Sequence, residues 1–357
     1  MIYLDNIIFE IQNAGGISVY WSELIKRYGE KKVFFYGRPG LNIFSNLDRC
    51  FLRYERYPKF LSRRYLPFWP NKDELSSDKY IFHSSYFRYS NDSSAINVTT
   101  VHDFTYEHYI SGLRKWVHSW QKKTAIKKSS GIICVSENTK RDLLRFHPWV
   151  DESKVRVIHN GVSELFEPVV GVSDRLYERL GFRSNRPYLL FVGDRSPYKN
   201  FDKFIELGFQ LDEYDLVVVG GKPISDVENK KISTIKNRFY HFRGVTTEVL
   251  NLLYNGAFCL VYPSSYEGFG IPVLEAMRAG CPVVSTNLSS IPEVAGDAAL
   301  LVDEVCVDKL AEKIRQLESP NLRDDIIQKG FNQAGKFSWD KCFAETYAFY
   351  QELLEKE

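Results

Sequence analysis

Several common signatures are missing from these 357 residues. Six cysteines occur, at 50, 134, 259, 281, 306 and 342, and no two form a C-x-x-C pair. That spacing excludes a zinc ribbon and a disulfide framework. Cys134 and Cys259 sit inside apolar strand-like runs, which is expected of reduced, buried thiols in a cytoplasmic protein. No uncharged apolar run approaches the ~20 residues that a membrane-spanning helix needs. Met1-Ile2-Tyr3-Leu4-Asp5 has an early acid and no basic segment, so it does not read as a secretory signal. The G-x-G-x-x-G fingerprint is absent, which weakens any dinucleotide-dependent oxidoreductase reading. Repeats and low-complexity tracts are absent too.

What is present is an ordinary globular composition, 44% hydrophobic and 26% charged. The length predicts two domains. A net charge of +2 conceals an asymmetry. Residues 1–165 hold 25 Lys and Arg against 17 Asp and Glu; residues 166–357 hold 22 against 28. A basic first half points to an anionic partner or surface.

Short apolar strands alternate with amphipathic segments along the whole chain. Strands are expected at 32–36, 79–84, 97–101, 131–135 and 155–158, then at 188–192, 215–219, 239–242, 258–262 and 282–285. Helices are expected at 17–28, 114–129, 137–146, 202–209, 246–255, 271–279 and 307–318. Strands with no polar face, alternating with helices, imply α/β parallel sheets covered on both sides. The aperiodic stretch 164–172 sets a boundary, giving domains 1–165 and 166–339. Two doubly wound domains would face each other across a cleft at the carboxyl ends of their strands, with ligand loops just after strands.

The loops at those positions carry the chemistry. The run Glu267-Gly268-Phe269-Gly270-Ile271-Pro272-Val273-Leu274-Glu275 follows an apolar strand. Pro272 suits a first helical turn, and the glycines let backbone N–H groups approach a ligand. A strand, a glycine turn and a helix start together form an anion pocket. Carboxylates beside it are suited to accept hydrogen bonds from sugar or ribose hydroxyls. A ligand with both phosphate and hydroxyls, such as a nucleotide sugar, fits; the alternative is a capped core helix with two incidental glutamates. Arg195 and Lys199, on the loop after 188–192, bring two cations suited to a diphosphate, or else form a solvated polar loop. Gly15-Gly16 at a helix start gives room for a phosphate or serves as a plain turn. His102-Asp103 after 97–101 can bind a sugar hydroxyl or move a proton, or be locally tied down. Ser136 reads as a helix cap.

Taken together, these phrases resemble glycosyltransferase family 4, the retaining nucleotide-sugar transferases of the GT-B fold. Its hallmark is E-x7-E, here Glu267 to Glu275. Around it stand L-V-Y-P-S-S-Y, A-M-R-A-G-C-P-V-V, S-S-I-P-E-V-A-G-D-A-A at 289–299, V-S-E-N-T at 135–139, V-I-H-N-G-V at 157–162 and F-V-G-D-R-S-P-Y-K-N at 191–200. The Y-K-N phrasing resembles bacterial mannosyltransferase-like enzymes of O-antigen and polysaccharide assembly.

The resemblance implies that Glu275 holds the donor ribose and that Glu267 contacts the donor sugar, beside Gly268 and the backbone of Phe269, Gly270 and Ile271. It implies that Arg195 and Lys199 neutralise the diphosphate, that His102 lies near the transferred sugar and that Gly16 lies near phosphate. Many relatives carry Arg directly after the glycine of the V-G phrase; here Asp194 stands there and Arg195 follows. The resemblance further implies retention of configuration, with no cofactor or bound metal; no D-x-D triplet occurs. The implied donor is a nucleotide diphosphate sugar, with a GDP-linked hexose preferred over a UDP-sugar. The implied acceptor is a glycan or lipid-linked glycan.

Residues 113–128 hold six cations and no acid, with Trp116 and Trp120 on one helix face. A second basic cluster, 51–69, interleaves Arg53, Arg56, Lys59, Arg63 and Arg64 with Tyr54, Tyr57, Tyr65 and Trp69. These segments either rest on an anionic membrane, at the cytoplasmic face of the inner membrane, or form solvated faces with the tryptophans in the core. Nucleic acid is not an expected partner. The last segment, 337–357, predicts an amphipathic helix with Phe343, Tyr347, Tyr350 and Leu354 on one side, crossing back to the first domain. Rival functions are another GT-B-like sugar-nucleotide enzyme and a catalytically degenerate scaffold subunit.

Overall fold

In a computed structural model of the chain, residues 1–12, 15–29, 33–37, 52–53, 59–70, 79–182 and 186–356 are described. Lys32, Cys50 and all of positions 51–58 except the backbone of 52–53 lie outside them. The chain divides into two compact units, Met1–Gly161 with Trp339–Glu357, and Val162–Ser338.

The first unit is built on seven strands: β1 (Ile2–Asp5), β2 (Val33–Tyr36), β3 (Leu52–Arg53), β4 (Tyr80–Ser84), β5 (Ala95–Val101), β6 (Gly131–Cys134) and β7 (Val155–Val157). They form one sheet in the order β3-β2-β1-β4-β5-β6-β7, with every pairing parallel. Its helices are α1 (Ile7–Ile11), α2 (Gly16–Arg27), α3 (Phe60–Tyr65), α4 (Thr105–Tyr109), α5 (Gly112–Lys128) and α6 (Glu137–Phe146). The second unit has β8 (Tyr188–Val192), β9 (Asp215–Val219), β10 (Phe239–Phe242), β11 (Cys259–Tyr262), β12 (Val283–Thr286) and β13 (Leu300–Val302), in the order β10-β9-β8-β11-β12-β13, again all parallel. Its helices are α7 (Val172–Leu180), α8 (Phe201–Gln210), α9 (Asp226–Ile232), α10 (Thr247–Gly256), α11 (Ile271–Arg278), α12 (Ile291–Ala295), α13 (Val307–Gln316) and α14 (Pro320–Ala334). The last helix, α15 (Trp339–Lys356), returns to the first unit.

Both sheets follow the doubly wound strand order, whose direction reverses beside the first strand, so switch points fall at β1/β4 and β8/β11. The strands need apolar residues on both faces because helices cover both. All five residues of β8 and all five of β9 are buried. Leu189, Phe191, Phe204, Leu216, Val218 and Val261 share one core. Burying each such side chain contributes about 1.5–3 kcal/mol. In the first unit Tyr3, Tyr36, Phe68, Tyr80 and Phe82 form an aromatic cluster, with Phe68 stacked on Phe82 at 4.3 Å.

The expected strands match to within about two residues at each end. Strands β1, β3 and β13 and helices α1, α3, α4, α7, α9, α12 and α14 lie outside the expected elements. Ser136 caps α6, accepting from the Thr139 N–H. Cys134, Cys259, Cys281 and Cys342 are buried free thiols and Cys306 is half-buried. No helix among the described residues is long and apolar enough to cross a membrane. The alternative that placed the tryptophans of α5 in the core is wrong: Trp116 and Trp120 are exposed.

Helix α15 turns inward a stripe that shares only Tyr350 with the expected one. Trp339, Cys342, Thr346, Phe349, Tyr350 and Leu353 are buried, while Phe343, Tyr347 and Leu354 lie at the edges. The shift follows from the surface it meets. Tyr350 reaches His83 Nδ1 at 2.5 Å and Tyr28 OH at 3.4 Å, and Arg27 Nε donates to Asp340 at 2.6 Å. Leu353 and Phe349 lie directly on Gly131, where a Cβ would fall 2.5 Å from Leu353 Cδ1. All six tryptophans belong to the first unit, so tryptophan fluorescence reports on it alone. Gly131→Val is expected to lower the stability of that unit by about 1–3 kcal/mol, measured by urea unfolding followed through tryptophan emission.

Candidate active site

The loops after β8 and β11 meet at a switch point, and Asn200 joins them. Its backbone takes a left-handed turn, φ 52°. Its side-chain amide donates to Pro263 O at 2.8 Å and Ser265 Oγ at 2.7 Å, and Ser265 N donates to Tyr198 O at 2.8 Å. This splice brings Lys199 to Glu267. The Lys199 ammonium donates to Glu267 Oε1 at 2.7 Å and to Tyr262 OH at 3.0 Å, 5.1 Å from the Tyr262 ring centre. Burial alone would depress the lysine pKa; the facing Glu267 carboxylate, together with Tyr198 and Asp194, more than offsets it, and the net shift is upward. Two of the three ammonium N–H donors are thus committed.

The Glu267 turn is held from the next strand. Glu267 N donates to Ser289 Oγ at 2.8 Å, and Ser290 Oγ donates to Glu267 O at 2.8 Å and Phe269 O at 3.0 Å. Ser289 is at φ 53°, a strained value for a residue with a Cβ. Phe269 is buried against Phe337. Gly270 precedes α11 at φ 99°, which requires glycine, and Pro272 lies in the first turn. Glu275, one turn on, accepts from Tyr254 OH at 2.9 Å, and burial pushes its carboxyl up to about 7. Burial raises the pKa of the Tyr262 phenol well above the usual range, and the charges of Glu267 and Glu275 push it the same way.

Arg195 is turned elsewhere. Its Nε donates to Glu228 Oε1 at 2.6 Å and its Nη2 to Lys222 O at 2.7 Å and Pro223 O at 3.0 Å. Glu228 also accepts from Ser225 N, completing the cap of α9. Arg195 therefore bolts the β8 loop to that cap. Its Nη1 is buried without a partner.

His102 and Gly16 belong to the first unit. Gly16 opens α2. His102 ends β5, with its ring edge-on to Tyr20 at 4.9 Å and its Nε2 buried without a partner. Burial pushes the imidazole down to about 4, so it is neutral near pH 7. The loop is fixed from α5: the buried Lys122 donates to Asp103 O at 2.9 Å and to Glu107 Oε2 at 2.8 Å, and Asp103 accepts from Thr105 N at 2.9 Å.

The sequence did not single out Asn200, Ser289, Ser290, Tyr254, Tyr262 or Lys122. Asn200, Ser289, Ser290 and Tyr262 stand inside the phrases Y-K-N, S-S-I-P-E and L-V-Y-P-S-S-Y, which were the available signal; Lys122 had none beyond being one cation among six.

Buried imidazoles, His147 among them, set an acid limit for the first unit. Burial lowers His83 to about 3, and His102 and His118 to about 4. The unfolded chain takes up these protons near pH 6.5 and the folded unit does not. Their contribution is therefore present above about pH 6.5 and lost as pH falls toward 4. The urea midpoint read by tryptophan emission should drop between pH 7 and pH 4.5.

Two family models match the chain. Glycosyltransferase Family 4 matches residues 14–164, and Glycosyl transferases group 1 matches residues 172–333. O-antigen chain mannosyltransferase B of Escherichia coli is 36% identical over 179 residues, 46% of this chain and 46% of that protein. The chain thus matches about half the length of that relative. O-antigen chain mannosyltransferase RfbU of Salmonella typhimurium is 28% identical over 249 residues, 68% of this chain and 65% of that protein. Among solved structures, the sucrose-phosphate synthase of Thermosynechococcus elongatus aligns with TM-score 0.74 at 18% identity, covering 100% of this chain and 99% of that one. WaaG, a glycosyltransferase involved in lipopolysaccharide biosynthesis, aligns with TM-score 0.73 at 15% identity, covering 98% and 99%. At these identities the structures speak to the fold alone. The two family models span both units and both units carry doubly wound parallel sheets: this chain belongs to the family 4-like GT-B glycosyltransferases.

Proposed function

We propose that this chain is a retaining, metal-independent hexosyltransferase that moves a sugar from a nucleotide diphosphate donor to a hydroxyl of a glycan or lipid-linked glycan during cell-surface polysaccharide synthesis. The observation that carries it is the Lys199–Glu267 pair at the β8/β11 switch point, beside the start of α11. The second unit would take the donor and the first the acceptor. Glu275 would accept hydrogen bonds from the ribose hydroxyls, and Glu267 from the donor sugar. The remaining N–H of Lys199 and the start of α11 would face the diphosphate, the end where negative charge grows. Gly16 would stand near phosphate and His102 near the transferred sugar. Arg195 has a positioning task in this scheme, through Glu228 and the β8 loop.

In the step itself the bond from C1 to the diphosphate oxygen breaks and its electron pair leaves with the phosphate. The acceptor hydroxyl attacks C1 from the same face, and its proton passes to the departing phosphate oxygen. The neutral imidazole of His102 adds no positive charge beside the developing oxocarbenium. A GDP-linked, mannose-like hexose is our preferred donor, supported by the relatives named O-antigen chain mannosyltransferases. No cofactor is required.

Lys199→Ala and Glu267→Ala are each expected to lower turnover by about 10²–10³-fold while circular dichroism still shows cooperative melting. Turnover should survive chelator treatment, and NMR of the product should show retained anomeric configuration. Near-normal turnover in both variants would refute the site. Absence of donor hydrolysis or transfer with any nucleotide sugar would favour the scaffold reading.

A further inference from the structure

We propose that the outward face of α5, with α3 beside it, is a docking surface for an anionic lipid bilayer. Helix α5 is amphipathic in the wrong sense for a water-facing helix. Its buried side carries His118, Gln121 and Lys122 along with Ala125 and Ile126. Its outward stripe runs Leu113, Trp116, Trp120, Lys123, Lys127, spaced 3, 4, 3 and 4, which is one helix face. Leu113 is 75% exposed, Trp116 65% and Trp120 49%. Helix α3 is tied alongside by Gln121 Nε2 donating to Arg64 O at 2.8 Å. It and the residues after it add Leu61, 65% exposed, and Trp69, 45% exposed. Isolated surface apolar residues need no account; a set gathered on two adjoining helices does.

Charge selects the occupant. Residues 59–70 and 110–128 contain nine Lys and Arg and no acid. Arg63 and Lys122 are buried in ion pairs with Glu10 and Glu107, and Arg64 and Lys115 are half-buried, which leaves Lys59, Arg114, Lys123, Lys127 and Lys128 exposed. Tryptophan and leucine flanked by cations match the headgroup zone, where apolar side chains enter the acyl boundary and each cation contributes about 1 kcal/mol against anionic lipid. A second copy of the chain is disfavoured, because a two-fold contact would set this cationic face against itself. The surface stands on its own geometry and extends the lipid-linked acceptor of the proposed function by placing the enzyme where such an acceptor lies.

The test is flotation of the full chain with phosphatidylcholine vesicles, with and without phosphatidylglycerol, in the absence of donor and acceptor. The wild type is expected to float with the anionic vesicles only, to be released by salt, and to show blue-shifted tryptophan emission when bound. The double variant Trp116→Ser/Trp120→Ser and the double variant Lys123→Glu/Lys127→Glu should each lose binding by about tenfold or more, equivalent to about 1.4 kcal/mol. Both should keep the wild-type melting profile by circular dichroism, since all four side chains point outward; Lys309→Glu, on the second unit, is the control. Failure of the wild type to float, equal flotation with neutral vesicles, or unaltered binding by the variants overturns the proposal. So does a wild-type dimer that the tryptophan variant converts to monomer, which would make a second copy the occupant. A chain that floats without transferring sugar sinks the proposed function and leaves the docking surface intact; the reverse outcome does the opposite.

Discussion

Parallel strands deliver all their carboxyl ends to one edge of a sheet, and every assignment in this protein depends on that geometric constraint. Because β8 and β11 are neighbours running the same way, the loops that follow them emerge side by side at the switch point. Lys199 and Glu267, 68 positions apart in sequence, therefore come within 2.7 Å. The loop after β12, the strand next to β11, contributes Ser289 and Ser290, which hold the Glu267 turn. The same rule puts His102 at the end of β5 and Gly16 past the end of β1. An antiparallel sheet of the same strands would scatter these groups over two edges.

The contacts at the second unit's site differ in what they contribute. Lys199 with Glu267 is a largely desolvated pair whose removal by halves would leave an unmatched charge. Asn200 adds little charge but determines where that pair lies, since its amide bridges the two loops. Arg195 shows how a cation at a strand end can be absorbed by architecture: Glu228 and two carbonyls saturate most of its fork. In the first unit Lys122 does comparable work from inside a helix, gripping the carbonyl next to His102.

Much of this was legible in the chain because the relevant signals are local. Strands buried on both faces are written as continuous apolar runs, and Gly270 with Pro272 marks a helix start whatever surrounds it. The E-x7-E spacing needs only one turn of α11 to set Glu275. What sequence withheld was partnership at a distance. Nothing around Arg195 announces Glu228, 33 positions on, and nothing around Glu275 announces Tyr254. Periodicity put Trp116 and Trp120 on one face of α5 and left open which way that face pointed; the answer came from Lys122 and His118, whose partners lie inward. In α15 the aromatic residues suggested one stripe, and small residues, Cys342 and Thr346, turned out to sit at the centre of the true one.

The return of α15 to the first unit has a consequence for how the polypeptide matures. Residues 162–338 form an uninterrupted length and hold everything their own sheet requires. The first unit is discontinuous: β4, β6 and α2 wait for a cover, α15, that is made only after the whole of the second unit. Synthesis ordinarily completes the amino-terminal body first. Here that sequence is inverted, and of the two sheets the one made earlier is sealed later. Until Tyr350 and Leu353 emerge, His83 and the Gly131 edge stay uncapped, so a nascent chain stalled before α15 carries one finished body and one open one.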